Sequence, residues 1–285
     1  MTPGEAAVAD PAVRPSESDF RELVEAVHRI TGISIKEQRR IMLERRLRRR
    51  LPALGLTDYP SYLSRVASDE AERRTFVDLV TTNETYFYRT PRVWEYVERS
   101  LLPRWRGARP FRAWSAAAST GEEAHTLGIL LEARRRAHPS FDYEIHGTDI
   151  SGAVIDVARA GVYNGKSIAR FREDRPELFA RFMTGDDAGG YAAVPEIRRR
   201  VRFSTANLFR LEPVTTRYDL VLLRNVLIYF ARADQIAVMS HVHERLSPDG
   251  VAIIGESESL SYLDTDFEPL EHTVYRPRRE RASAA

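Results

Sequence analysis

Apolar residues recur at helical spacing through the first part of the chain, with Leu23, Val27 and Ile30 in one stretch and Leu43, Leu47 and Leu51 in the next. Steps of three and four place such residues on one face of a helix, and Gly32, Gly55 and Pro60 punctuate between the segments. Residues 19–80 are therefore expected to form a small helical domain. Residues 1–18 are rich in Ala, Pro and Glu without apolar periodicity and are expected to be a disordered tail. Residues 81–109 are expected to act as a linker into a second domain. From residue 110 the pattern changes to short apolar runs at 112–116, 143–148 and 218–223, with helical stretches between them. The run Tyr218-Asp219-Leu220-Val221-Leu222-Leu223 is nearly continuous, as in a parallel strand covered on both faces. Residues 110–285 are thus expected to be an α/β domain built on a doubly wound parallel sheet. Within it, Gly185, Gly189 and Gly190 followed by Tyr191-Ala192-Ala193-Val194 suggest a hairpin, so an antiparallel β subdomain is expected at about residues 181–203.

The ends of these runs carry the chemistry. The first run passes into Ala116-Ala117-Ala118-Ser119-Thr120-Gly121-Glu122-Glu123, small residues and then acids that open a helix. In an open α/β sheet the ligand lies beyond the carboxyl ends of the strands, where a turn without large side chains lets it approach the backbone. A pyrophosphate would be repelled by Glu122 and Glu123 at the helix start, so the ligand there is expected to be uncharged or cationic. S-adenosylmethionine fits, having an adenosine, no phosphate and a sulfonium. The second run ends in Asp149, placed either to accept ribose hydroxyls or to cap the next helix. The third runs into Arg224-Asn225-Val226-Leu227-Ile228-Tyr229-Phe230, where substrate and cofactor meet in such folds. Tyr229 is either part of that meeting point or core packing beside Phe230. Without prolines at this position, an oxygen nucleophile is a better expectation than a nucleic-acid base.

Composition narrows the classes. With no cysteine, disulfides, thiolate metal sites and a cysteine nucleophile are excluded, and no metal is called for. No apolar run approaches the ~20 residues needed to span a bilayer, and the N-terminus lacks a signal-peptide pattern, so a cytoplasmic protein without membrane insertion is expected. The net charge is only +2, although Lys36 and Lys166 are the only lysines among 43 basic residues. Arginines crowd one helix, among them Arg45, Arg46, Arg49 and Arg50, with no aromatic residues interleaved to stack on bases. That argues against nucleic acid and leaves a solvated face or a docking surface.

Several motifs together resemble one family, the CheR-type chemotaxis receptor methyltransferases, which are protein-glutamate O-methyltransferases. They are Thr81-Thr82-Asn83-Glu84-Thr85-Tyr86-Phe87-Tyr88-Arg89, the stretch from Trp114 to Glu123, Gly147-Thr148-Asp149-Ile150, Ala206-Asn207-Leu208, and Arg224 to Phe230, in the family's order. The resemblance covers about residues 19–276. Gly255-Glu256-Ser257-Glu258 departs from the family's usual Gly-His-Ser-Glu, and Tyr88 stands where Phe is common.

The resemblance implies a helical N-terminal domain and a Rossmann-like class I methyltransferase domain with an inserted β subdomain. It implies S-adenosylmethionine as cofactor, with S-adenosylhomocysteine as product. Asn83, Thr85, Arg89, Ala117, Glu122 or Glu123, Asp149, Asn207, Leu208, Asn225 and Val226 are expected to line the cofactor pocket, with residues 81–109 contributing part of it. Arg89 and Tyr229 are expected at the methyl group. The Arg-rich helix would dock the receptor's acidic methylation helices, and the β subdomain is a place where some members bind a receptor C-terminal peptide by strand addition. The rival readings are a methyltransferase for another carboxylate or small molecule, and a non-catalytic cofactor-binding regulator of a signalling complex.

A glutamate side chain, with a pKa near ~4.3, is already ionised at neutral pH and needs no general base. What remains is positioning. An in-line approach within about 3–3.5 Å of the methyl carbon supplies several kcal/mol of the barrier.

Overall fold

The computed structural model describes residues 14–211 and 216–278. The chain divides into two compact units, one ending at Thr81 and the other beginning at Thr82. Among the described residues the first is built on four α-helices: α1 (Glu17–Thr31), α2 (Arg40–Ala53), α3 (Tyr59–Ser68) and α4 (Glu70–Val80). Leu23 and Val27 of α1, Leu43, Leu47 and Leu51 of α2, Tyr59 and Tyr62 of α3, and Phe76 and Val80 of α4 are all buried, each burial worth about 1.5–3 kcal/mol for the aliphatic side chains. Ser16 begins α1 with a capping box: its hydroxyl accepts from the Asp19 amide while the Asp19 carboxylate accepts from the Ser16 amide. The expected disordered tail is therefore corrected at its end, since a reciprocal cap that satisfies two helix donors sets the helix start at Glu17. Residues 1–13 of that expectation lie outside the described residues.

In the second unit, α5 (Pro91–Tyr96) and a π-helical turn at Val97–Leu101 precede β1 (Phe111–Ala116). Phe87, Tyr88, Trp94 and Val97 are buried in its core, so residues 82–109 are an integral layer of the α/β unit and not a linker. The large aromatic side chains cannot be left in water at little cost, which is why this segment packs. Then follow α6 (Glu122–Ala137), β2 (Tyr143–Asp149), α7 (Gly152–Ala160), α8 (Lys166–Asp174), α9 (Pro176–Phe182), β3 (Met183–Asp186), β4 (Gly190–Ala193), α10 (Pro195–Arg198) and β5 (Val201–Thr205). Further along lie β6 (Tyr218–Leu223), α11 (Arg232–Arg245), β7 (Leu246–Ile254), β8 (Phe267–Glu271) and β9 (Val274–Pro277).

Seven strands form one sheet in the order β5-β2-β1-β6-β7-β9-β8, with β5 to β7 parallel and β9 antiparallel to both neighbours. The period of two decides how it is covered. Ala113, Leu220, Leu222 and Ile253 face one core with α6, while Trp114, Ala116, Val221, Leu223 and Ile254 face a second with α11. Burial on both faces explains the near-continuous apolar reading of β6. The direction of winding reverses between β1 and β6, and a ligand crevice is expected at the carboxyl ends of these two strands. The hairpin is β3 paired with β4, and it is smaller than the 181–203 expected: residues from Val201 on already belong to the main sheet as its edge strand. Alternation of Val201 and Phe203 against β2 carries them into the main core, which outweighs the local turn signal.

Candidate active site

The turn after β1 is built by unusual backbone. Ala117 (φ 66°), Ser119 (φ 49°) and Gly121 (φ 94°) all have positive φ, a region that costs a side-chain-bearing residue energy and is kept where surrounding bonds enforce it. Those bonds are present. The Ala118 amide donates to the Thr148 carbonyl at 2.8 Å, the Ser119 amide to the Asp149 carboxylate at 2.9 Å, and the Ser119 hydroxyl to the Asn83 carbonyl at 2.9 Å. A β-carbon on Gly121 would lie 2.9 Å from Ala158 and from the Tyr163 hydroxyl, so this position excludes any larger residue.

Asp149 ends β2 with its carboxylate buried, and its second oxygen accepts from the Ser151 amide at 3.0 Å. The helix cap is Ser151, whose hydroxyl accepts from Val154, so capping does not account for Asp149. The Ala206 amide reaches the Asp149 carbonyl at 2.9 Å and brings Asn207 and buried Leu208 to the same strand end, where the Asn207 side chain caps a short 3-10 turn.

The two acids at the start of α6 are both engaged. Glu123 accepts from the Ser115 hydroxyl at 2.7 Å and from Arg224 at 3.0 Å. Glu122 is buried and accepts from the Thr120 hydroxyl at 2.6 Å, and loss of hydration raises its carboxyl above the ordinary value. The negative field expected from two free acids is therefore partly cancelled inside the protein. Arg224 is the hub that sequence reasoning passed over. Its side chain is 2% exposed, one nitrogen bonds Glu123, another bonds the Arg89 carbonyl at 2.8 Å, and the guanidinium stands 5.4 Å from the Trp94 ring centroid. A charged residue closing the apolar run Leu220–Leu223 is the signal in the sequence, because a buried cation persists only when paired.

The segment after β6 is likewise pinned. Asn225 has φ 59°, and the buried carboxylate of Glu258 accepts from the amides of Gly255 (2.6 Å), Asn225 (2.9 Å) and Ile228 (3.3 Å). Burial raises the Glu258 carboxyl while these amides pull it down. A β-carbon at Gly255 would strike Glu258 and Asn225 at 2.7–2.8 Å. Glu256, the departure from the family pattern, is exposed, so the acid that matters locally is the one two residues later. Tyr229 is half-buried whereas Phe230 packs in the core, which separates the two neighbours. Arg89 is half-buried, donates to the Glu84 carbonyl at 2.9 Å and lies over the Tyr86 ring.

The geometry thus brings the segments carrying Asn83, Thr85 and Arg89, Ala117 to Glu123, Asp149, Asn207 and Leu208, and Asn225, Val226 and Tyr229 to one end of the sheet, joined by Ser119, Asp149 and Arg224. The α2 arginines lie in the other unit, and they differ among themselves. Arg46 donates to the carbonyls of Leu79 and Thr81, and Arg50 is bound to the buried carboxylate of Glu72, which also accepts from Tyr62. Arg45, Arg48 and Arg49 are exposed.

A parallel sheet of this winding, with a tight small-residue turn after its first strand and an acid ending the second, defines a nucleoside-cofactor-binding α/β enzyme. Two family patterns cover nearly the whole chain: the CheR methyltransferase all-alpha domain matches residues 18–81 and the CheR methyltransferase SAM binding domain matches residues 83–276. The chemotaxis protein methyltransferase 2 of Pseudomonas aeruginosa is 32% identical over 265 residues, covering 92% of this chain and 94% of that protein. The chemotaxis protein methyltransferases of Salmonella typhimurium (31% identical; 94% and 92% covered) and Escherichia coli (30%; 91% and 91%) are similar over the same length. The chain belongs to the CheR methyltransferase family, and it is an S-adenosylmethionine-dependent methyltransferase of the chemotaxis type.

Proposed function

We propose that this enzyme esterifies glutamate side chains on the cytoplasmic helices of methyl-accepting chemotaxis receptors, working in the cytoplasm. The observation that carries the reading is the meeting of the segments around residues 83–89, 117–123, 149 and 224–229 at the ends of β1 and β6, in a member of this family. Asn83, Thr85, Ala117, Asp149, Asn207, Leu208, Asn225 and Val226 hold the cofactor. The fit rests on this chain's own features: small residues in a turn that leaves its backbone approachable, an oriented buried carboxylate for ribose hydroxyls, and acids where a phosphate-bearing ligand would need donors. When bound, S-adenosylmethionine supplies a methyl group on a cationic sulfur.

The protein's task is then orientation. Arg89 orients the incoming carboxylate through its forked donors, and Tyr229 aligns the reacting groups by a hydroxyl that gives up no proton. Arg224 removes the Glu123 charge from competition with that carboxylate. Opposite charges neutralise as the reaction proceeds, so a site that excludes water favours it. On the first unit, exposed Arg45, Arg48 and Arg49 form the acidic-helix docking face, while Arg46 and Arg50 stabilise the fold. A cleft of about 600 Å³ beside β4, lined in part by Lys166, Arg172 and Tyr191, is the place for a receptor C-terminal peptide. Incubation with labelled S-adenosylmethionine and receptor-containing membranes tests the reading. A base-labile label on receptor glutamates is the expected result. Transfer only to small carboxylates, or cofactor binding without transfer, would overturn it.

A further inference from the structure

Tyr163 lies between α7 and α8, outside every segment assigned to the site, and is 3% exposed. Its hydroxyl donates to the Thr120 carbonyl at 2.9 Å, inside the turn that follows β1. The same oxygen lies 2.9 Å from Nδ1 of His125, which also lies 3.1 Å from the Gly121 carbonyl. His125 is buried, and the missing hydration drives its pKa down to about 4, so the ring is neutral. Only one arrangement of protons satisfies all partners: Nδ1–H is shared between the Gly121 carbonyl and the Tyr163 oxygen, and the Tyr163 hydroxyl donates its hydrogen bond to the Thr120 carbonyl. Two consecutive carbonyls of the strained turn are thereby held by side chains outside it.

The backbone of Tyr163 is tied elsewhere. Its amide and carbonyl exchange two 2.8 Å hydrogen bonds with Tyr191 of β4, in the small hairpin. Its ring meets Phe87 edge-on at 4.8 Å, within the 83–89 segment. Gly190, beside Tyr191, has φ 87° and no room for a side chain: a β-carbon would lie 2.8 Å from Val162 and 3.2 Å from the Tyr163 carbonyl.

We infer that Tyr163 is a positioning residue for cofactor binding, which fixes the hairpin to the turn at Thr120 and Gly121 so that the hairpin's seating sets the fraction of molecules with a competent turn. The inference rests on the assignment of residues 117–123 to the cofactor site. A turn that is formed only part of the time lowers apparent affinity by that fraction and leaves saturated turnover unaffected.

The test uses the full chain and S-adenosylhomocysteine. In Tyr163→Phe, one buried carbonyl loses its donor, and calorimetric affinity is expected to fall about three- to tenfold. Amide hydrogen exchange should rise in residues 117–123 and stay unchanged in α11 and β7, a local signature that general destabilisation does not produce. Gly190→Ala perturbs the same residue from the hairpin side and should weaken binding in the wild-type background. In the Tyr163→Phe background it should add little, because coupled residues are non-additive. Affinity within twofold of wild type for Tyr163→Phe, or independent effects that multiply in the double variant, would overturn the inference. Asp149→Ala run in parallel separates the two readings: its affinity is expected to fall, and if it were unchanged the site assignment itself would fail.

Discussion

Replacing Glu258 by Gln asks whether the loop that carries Asn225, Val226 and Tyr229 is held by a single buried charge. The carboxylate receives two short amide bonds on one oxygen, from Gly255 and Asn225, and a longer one from Ile228 on the other. Gln retains one acceptor. Its oxygen will take the doubly bonded place, which turns the amide nitrogen toward the Ile228 donor. Bonds to a charged acceptor are worth about 1.5–3 kcal/mol and to a neutral one about 0.5–1.5, so the two retained bonds weaken by about 1 kcal/mol each and the third is lost. Against this stands the cost of the anion itself. Because the folded-state carboxyl is raised above 4.5, folding holds the proton more readily than the unfolded chain does, and the contribution of this group to stability declines as pH rises through the raised value. The neutral amide avoids that cost, which offsets part of the lost bonding, and each kcal/mol of stability that is lost lowers the melting temperature by about 2–4 °C. The loop has no such compensation. With Asn225 held at φ 59° largely by this acceptor, S-adenosylhomocysteine affinity is expected to fall by about five- to thirtyfold, equivalent to ~1–2 kcal/mol. Calorimetry and thermal melting measured together decide it. Unchanged affinity would refute the reasoning, as would a loss of affinity fully accounted for by a collapse in melting temperature.

Arg50→Ala leaves the buried Glu72 carboxylate without its cation and should cost about 2–3 kcal/mol in urea unfolding, whereas combined Arg45, Arg48 and Arg49→Ala should leave stability nearly unchanged and instead slow receptor methylation with a weaker salt dependence. His125 contributes stability in full above its ordinary 6.5, and that is lost as pH falls toward the folded value of about 4; the stability advantage of wild type over His125→Gln should shrink by about 2 kcal/mol between pH 7 and pH 5, followed by urea titrations at both. Tyr229→Phe should preserve S-adenosylhomocysteine affinity and melting temperature and reduce the single-turnover rate of transfer, the pattern of an interaction made only in the transition state; an unchanged rate would remove the hydroxyl from the chemistry.

What the amino-acid order determined by itself is local and periodic. The i, i+4 leucines of α2, the nearly continuous apolar run of β6, and the small-residue turn into Glu122 each announce an element or a strand end, because helix and strand periods and turn sterics act over a few residues. The ordered set of motifs was enough to point to the family. Tertiary structure alone decided which members of look-alike sets do what. Arg45 and Arg46 are neighbours in one charge run, yet Arg46 is spent on two backbone carbonyls and Arg45 stands in solvent. Glu256 drew notice as a departure, while the buried acceptor is Glu258. Ser151 and not Asp149 supplies the side-chain cap of α7, while the Asp149 carboxylate holds the Ser119 amide in the turn after β1. Arg224, Glu258 and Tyr163 act on partners about 30 to 135 positions away, counted directly in the bonds Asn225–Glu258, Tyr163–Thr120 and Arg224–Arg89. Burial makes those bonds strong by excluding water, and burial follows from how the layers of the sheet close, which no window along the chain contains.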